Sequence, residues 1–80
     1  MSTYKWDDKA WRGSRNANVM SAFMHDRNRC ELRSKGDGIG IMIFTPSLSV
    51  SEVVCHRSSG LDTAKVLAER RYGEFLKKGR

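Results

Sequence analysis

The stretch Arg29-Cys30-Glu31-Leu32-Arg33-Ser34-Lys35-Gly36-Asp37-Gly38-Ile39-Gly40-Ile41-Met42-Ile43-Phe44-Thr45 decides the fold. In its first half, Cys30, Leu32 and Ser34 alternate with Arg29, Glu31, Arg33 and Lys35. A period of two with one small or apolar face and one charged face is the pattern of a half-buried strand. Its second half, residues 39–45, is apolar on both faces, as a central strand is. Asp37-Gly38 between the two patterns signals a hairpin, because a type I′ turn needs positive φ. Pro46 lacks a ladder donor and ends the second strand.

Working outward, Leu48, Val50, Val53, Val54 and Cys55 predict a further strand. On the other side, Val19 to His25 carries two patterns. Met20, Phe23 and Met24 are spaced as on a helix, while Val19, Ser21 and Phe23 alternate. Asp26-Arg27-Asn28 is a good turn, since Asp and Asn bond their own backbone, and it favours a strand before it. Residues 1–18 are polar with two tryptophans, Trp6 and Trp11, and residues 12–18 read as loop.

The last element reads as a helix over residues 59–78. Ser59 stands three residues before Asp62, a capping box with Asp in place of Glu. Leu61, Ala64, Ala68, Tyr72 and Phe75 share one stripe at 100° per residue. Lys77 and Lys78 occupy the final turn, where the helix dipole favours cations, and Gly79 follows. The expected architecture is α+β: an antiparallel three- to four-stranded meander, residues 19–57, with the C-terminal helix packed on one face. The other face carries Arg29, Arg33 and Lys35.

The chain has 80 residues, the size of one domain. It carries 15 Lys and Arg against 9 Asp and Glu, a net charge of +6. Such a surface attracts polyanions: nucleic acid, an acidic protein patch or anionic lipid. Two cysteines, Cys30 and Cys55, are too few for a disulfide framework, and reduced thiols are expected. Residues 1–8 contain no apolar stretch, so no signal peptide is expected, and the longest apolar run, residues 39–44, is far short of a membrane span. The expected location is therefore the cytoplasm.

The chemistry-bearing residues do not assemble into a catalytic pattern. His25, Cys30, Cys55 and His56 have the atoms of a zinc site but not the spacing, since Cys55 and His56 point to opposite strand faces. No metal, no cofactor and no enzymatic activity are expected. Asp7-Asp8 reads as a solvated pair. Residues 36–40 alternate glycine but do not link a strand to a helix, which excludes a phosphate loop. The basic set is the functional candidate: Arg12, Arg15, Arg27, Arg29, Arg33 and Lys35, with Trp6 or Trp11 as apolar anchor. Charge reversal of Arg29 and Arg33 is expected to leave the fold intact, as for exposed charges generally.

The C-terminal segment SGLDTAKVLAERRYGEFLKKG resembles the closing helix of many short phage and prophage proteins. Leu61, Asp62, Ala64, Lys65, Ala68 and Glu69 carry that resemblance. Such proteins include host-takeover factors and inhibitors of bacterial defence, among them anti-CRISPR proteins. The resemblance implies an accessory protein that binds a host protein or nucleoprotein complex stoichiometrically, in the host cytoplasm. Ala64, Lys65 and Ala68 also resemble the last helix of double-stranded-RNA-binding domains, which implies direct nucleic-acid binding. That family has a lysine pair at the helix start, where this chain has Leu61 and Asp62. In topology alone, the chain is similar to the DNA-binding arm of phage integrases.

Overall fold

A computed structural model describes residues 3–9 and 18–78. Four strands, β1 (Val19–His25), β2 (Asn28–Lys35), β3 (Gly38–Phe44) and β4 (Ser49–His56), precede a 3₁₀ turn (Arg57–Ser59) and one helix, α1 (Leu61–Lys78). The strands pair antiparallel in the order β1-β2-β3-β4, a meander, and α1 lies across one face. The α+β expectation is met, with four strands.

The registers sort every side chain to a face. Cys30 pairs with Phe23 and Ile43, and Leu32 with Ser21 and Ile41. These residues point toward α1. Phe23, Cys30, Leu32, Ile39, Ile41 and Ile43 form the main core with Ala64, Ala68 and Tyr72. The two alanines lie in the first half of the helix, where small side chains let α1 approach the sheet. Tyr72 is the largest fully buried side chain. Leu61 and Phe75, at the ends of the expected stripe, are only half-buried against this core.

Val19 to His25 is a strand, and its mixed periodicity has a local cause. A bulge between Val19 and Ser21 inserts one residue. Met20 and Phe23 both pack on the main core, three apart, although the backbone is extended. A second bulge between Ile39 and Gly40 shifts β4 by one residue, so Val53 and Val54 together oppose Gly40. Leu48 falls just outside β4 and is exposed.

The β2–β3 turn and the helix start differ from expectation. The β2–β3 turn is Gly36-Asp37, and only Gly36 has positive φ (56°). One positive φ at the first turn position, filled by glycine, matches a type II′ turn rather than I′. The pair of positive φ values lies instead in the β1–β2 turn, at Asp26 (46°) and Arg27 (70°). The helix does not begin at Ser59, which closes the 3₁₀ turn. The Ala64 N–H donates to the Gly60 carbonyl at 3.1 Å, which makes Gly60 the cap residue. Gly79 lies outside the described residues.

Residues 3–9 belong to the fold. Asp7 and Ala22 exchange two backbone hydrogen bonds, at 2.7 and 3.1 Å, so this segment caps the β1 edge. Tyr4 stacks on Phe23 with ring centroids 4.3 Å apart, and Trp6 meets the same ring edge-on at 4.6 Å. The acidic pair is not merely solvated: Asp8 accepts from the Ser21 hydroxyl at 2.7 Å and pairs with Lys65 at 2.8 Å. The hydrogen bond from Lys65, then that from Ser21, holds the Asp8 carboxyl below its ordinary pKa.

Candidate binding surface

The face of the sheet opposite α1 takes its character from β2. Arg29, Glu31, Arg33 and Lys35 leave this strand on that side, as the alternation predicts. Neighbouring strands add Val19, Ala22 and Met24 from β1, Met42 and Phe44 from β3, and Ser49, Ser51 and Val53 from β4.

The four charges are not equivalent. Glu31 is buried, with only 4% of its surface exposed. It accepts from Arg29 Nε at 2.7 Å through one carboxylate oxygen. Through the other it accepts from Arg33 Nε at 2.9 Å and Arg33 Nη2 at 2.6 Å. Burial pushes the Glu31 carboxyl up, but the hydrogen bonds from Arg29 and Arg33 and their charges outweigh it, and its pKa lies below the ordinary value. Arg33 also lies over the Phe44 ring, 5.4 Å from its centroid. Repulsion among the cations on this face is thus relieved by one carboxylate held between two of them.

This geometry overturns the expectation that reversing Arg29 and Arg33 spares the fold. Two glutamates there would leave Glu31 buried and unpaired among like charges. Breaking a buried ion pair from one side costs about 3–5 kcal/mol.

The remaining cations are spent differently. Lys35 is exposed, and its Nζ donates to the Ser51 hydroxyl at 2.7 Å across β3. Arg27 is exposed at the tip of the β1–β2 turn. Arg29 uses Nε on Glu31 and sets Nη1 4.0 Å from the Met24 sulfur, so its terminal nitrogens lie at the surface. Met24 and Val53 are exposed apolar side chains on the same face. Val19 and Ala22 are buried there as a small second cluster, so the accessible part runs from Met24 and Arg29 across to Lys35, Ser51 and Val53.

Trp6 is not available as an anchor. Its indole N–H donates to Glu69 at 2.7 Å and its ring packs on Phe23. Arg12, Arg15 and Trp11 lie outside the described residues.

The histidines and cysteines are scattered. His25 Nδ1 and the Tyr72 hydroxyl are 2.7 Å apart, and Asn28 donates to that hydroxyl at 3.1 Å. His56 sits at the other end of the sheet and accepts from the Ser58 N–H at 3.1 Å. Cys30 and Cys55 are both free thiols. Burial, with lesser contributions from the Glu31 and Glu69 charges, pushes the Cys30 thiol up to about 12. Among the described residues, no group of three His, Cys, Asp or Glu side chains is placed to hold a metal ion. No helix among them is long and apolar enough to cross a membrane.

Glu69 and Glu31 are the residues sequence reasoning missed. Both read as ordinary surface carboxylates, and both organise their surroundings. Comparison adds no further guide, since no protein-family model, curated protein or solved structure matches the chain.

Proposed function

We propose that this chain is a non-enzymatic accessory protein that acts by stoichiometric binding. The target is an acidic surface on a nucleic-acid-handling complex of a host cell, the role implied by the resemblance to short phage proteins. Binding uses the face opposite α1, through Arg27, Arg29, Arg33 and Lys35. One observation carries the reading: buried Glu31 fixes Arg29 and Arg33 by their Nε atoms before any partner arrives. A guanidinium already held loses less side-chain freedom on binding, which favours affinity.

The surroundings of these cations favour a protein partner. Met24, Phe44 and Val53 lie among them, and arginine, methionine and aromatic residues are the types enriched in protein interfaces. Glu31 lowers the charge of the set, which weakens a purely electrostatic grip on phosphates. Direct nucleic-acid binding is the second reading, favoured by the net charge of +6.

The test uses Arg27→Glu with Lys35→Glu, since neither residue touches Glu31. The variant keeps its circular dichroism spectrum and melting temperature. Capture of a bacterial complex by the tagged protein falls by a factor of about 10 or more, as expected for removed charge complementarity. Mobility shifts of random duplex and single strand between 50 and 200 mM salt separate the readings. A steeply salt-dependent shift of bare nucleic acid favours the second reading. Unchanged capture by the variant refutes this face as the site.

A further inference from the structure

The two edges of the sheet are treated differently. The β1 edge is bridged by Asp7 at Ala22. The β4 edge has no neighbouring strand among the described residues. Its outward backbone groups follow from the hairpin. The Thr45 N–H donates to the Leu48 carbonyl at 2.8 Å. Bonded pairs alternate along an antiparallel ladder. Hence Val50 and Glu52 bond across to Ile43 and Ile41, while Ser49 and Ser51 turn their N–H and C=O groups away from β3.

The usual guards are missing from this part of the edge. Proteins blunt open edges with proline, lysine or very short strands. β4 spans eight residues and has no proline or lysine. Glu52 is folded back onto Arg71 of α1 at 2.9 Å. The β4 bulge lies beyond Glu52, so residues 49–52 remain regular.

Beside this edge, a cavity of about 160 Å³ opens between the sheet and the second half of α1. Ile41, Ile43, Val50 and Phe75 give it apolar walls. Its charged rim is partly neutralised, since Arg71 pairs with both Glu52 and Glu74. Lys78, also on the rim, has no ion pair among the described residues.

We infer that the β4 edge and this cavity form one peptide-docking site, which takes an extended segment as a fifth strand with an apolar side chain in the cavity. Unpaired main-chain donors and acceptors select an extended backbone, and alternate pockets then select side chains. A residue facing the α1 side next to Val50 reaches the apolar walls. A carboxylate on that same side of the peptide complements Lys78. The partner chemistry is therefore an extended peptide with a branched apolar residue and an acidic residue on one face. The cations of the opposite face take no part in the site. The two meet at Ser51, whose backbone serves the edge while its hydroxyl accepts from Lys35. Loss of binding on Arg27→Glu with Lys35→Glu and loss on Lys78→Glu therefore tell the two readings apart.

The probe is a synthetic peptide, Thr-Val-Thr-Leu-Thr-Val-Thr-Glu, titrated into ¹⁵N-labelled protein. Expected are saturable shifts of the Ser49 and Ser51 amides, with slowed hydrogen exchange at both. Replacing the peptide's leucine by aspartate weakens binding at least tenfold. Ser51→Pro removes an outward N–H without touching the β3 ladder, and it abolishes binding. Ser51→Ala keeps the N–H and keeps the affinity. If Ser51→Pro does not fold, Lys78→Glu serves, with a several-fold weakening for the same peptide. Three results would overturn the inference: no saturable shift at millimolar peptide, shifts centred on Arg29 and Lys35, or a stable dimer in which β4 of a second copy already protects these amides.

Discussion

The Trp6 indole N–H and the Glu69 carboxylate meet at 2.7 Å, across 63 positions of sequence. The same carboxylate accepts the Thr3 backbone N–H at 2.9 Å. One helical side chain therefore holds the beginning of the described chain against the end of its core. Glu69→Ala should cost about 2 kcal/mol, because it leaves a half-buried indole N–H without a partner. Urea denaturation measures the loss. In a Trp11→Phe background, the Trp6 emission should also shift to the red as residues 3–9 loosen. An unshifted emission with unchanged stability would mean that Glu69 holds nothing.

Glu31 gives a pH prediction with a definite sign. Its folded pKa lies below the ordinary 4.5 of an unfolded glutamate. The stability it contributes is full above that ordinary value and is lost as pH falls through the lower folded pKa. Glu31→Gln should therefore destabilise by about 3 kcal/mol at neutral pH and much less in strong acid. Melting temperatures of both proteins from pH 7 to pH 2 should converge. Parallel curves would assign the acid sensitivity to other carboxylates.

The same triad can be removed as a unit. Arg29→Met, Glu31→Leu and Arg33→Met together should leave stability unchanged or raise it, since buried ion groups are often replaced by apolar side chains without loss. Arg29→Glu with Arg33→Glu should destabilise by about 3 kcal/mol or more for the reason given above. Chemical denaturation of the two variants side by side checks the contrast. A well-folded double reversal would show that Glu31 is less dependent on its partners than its burial implies.

Tyr72, rather than Phe75, is the side chain on which the helix depends. Tyr72 is fully buried, while Phe75 is half-exposed on the rim of a cavity. Tyr72→Ala should cost about 3–5 kcal/mol, enough to unfold so small a domain. Tyr72→Phe keeps the ring and loses the bonds with His25 and Asn28, at about 1–2 kcal/mol. Phe75→Ala should cost less than Tyr72→Ala. Thermal melting ranks the three.

The two thiols should separate by reactivity. Cys30 is fully buried with its pKa pushed up to about 12, so almost no thiolate forms at neutral pH. Cys55 is half-buried near the end of β4. An aromatic disulfide reagent should titrate one thiol quickly in the native protein and two in denaturant. Two fast thiols in the native state would place Cys30 at the surface.

What the sequence disclosed followed from local periodicity. Cys30, Leu32 and Ser34 name the core face of β2 because alternation needs only neighbours. Ala64, Ala68 and Tyr72 do the same for α1. Each bulge breaks that rule. Met20 looked helical relative to Phe23 because an inserted residue turns a spacing of two into three. The β2–β3 turn fell one residue earlier than Asp37-Gly38 suggested, on Gly36-Asp37, because the strand register on both sides sets which residues turn.

The candidate face was legible as a placement and not as an energy. Arg29, Arg33 and Lys35 follow from alternation. The burial of Glu31 does not, because a carboxylate between two arginines on a polar face reads as solvated. Only the neighbouring strands reveal that it is covered. Trp6 is a similar case: its partner Glu69 is too distant in sequence for any local signal to pair them.

The unequal edges of the sheet limit how large an edge-joined assembly can grow. A strand that docks on β4 uses up the edge left without a neighbouring strand among the described residues. If two copies joined there, each would present its β1 edge outward, and Asp7 already occupies the backbone of Ala22 on that side. The bridge at Ala22 interrupts the outer side of β1 and so opposes further addition there, which works against propagation into a fibre. The short segment at residues 3–9 thus acts as a chain terminator for the sheet, set on the side away from the open strand.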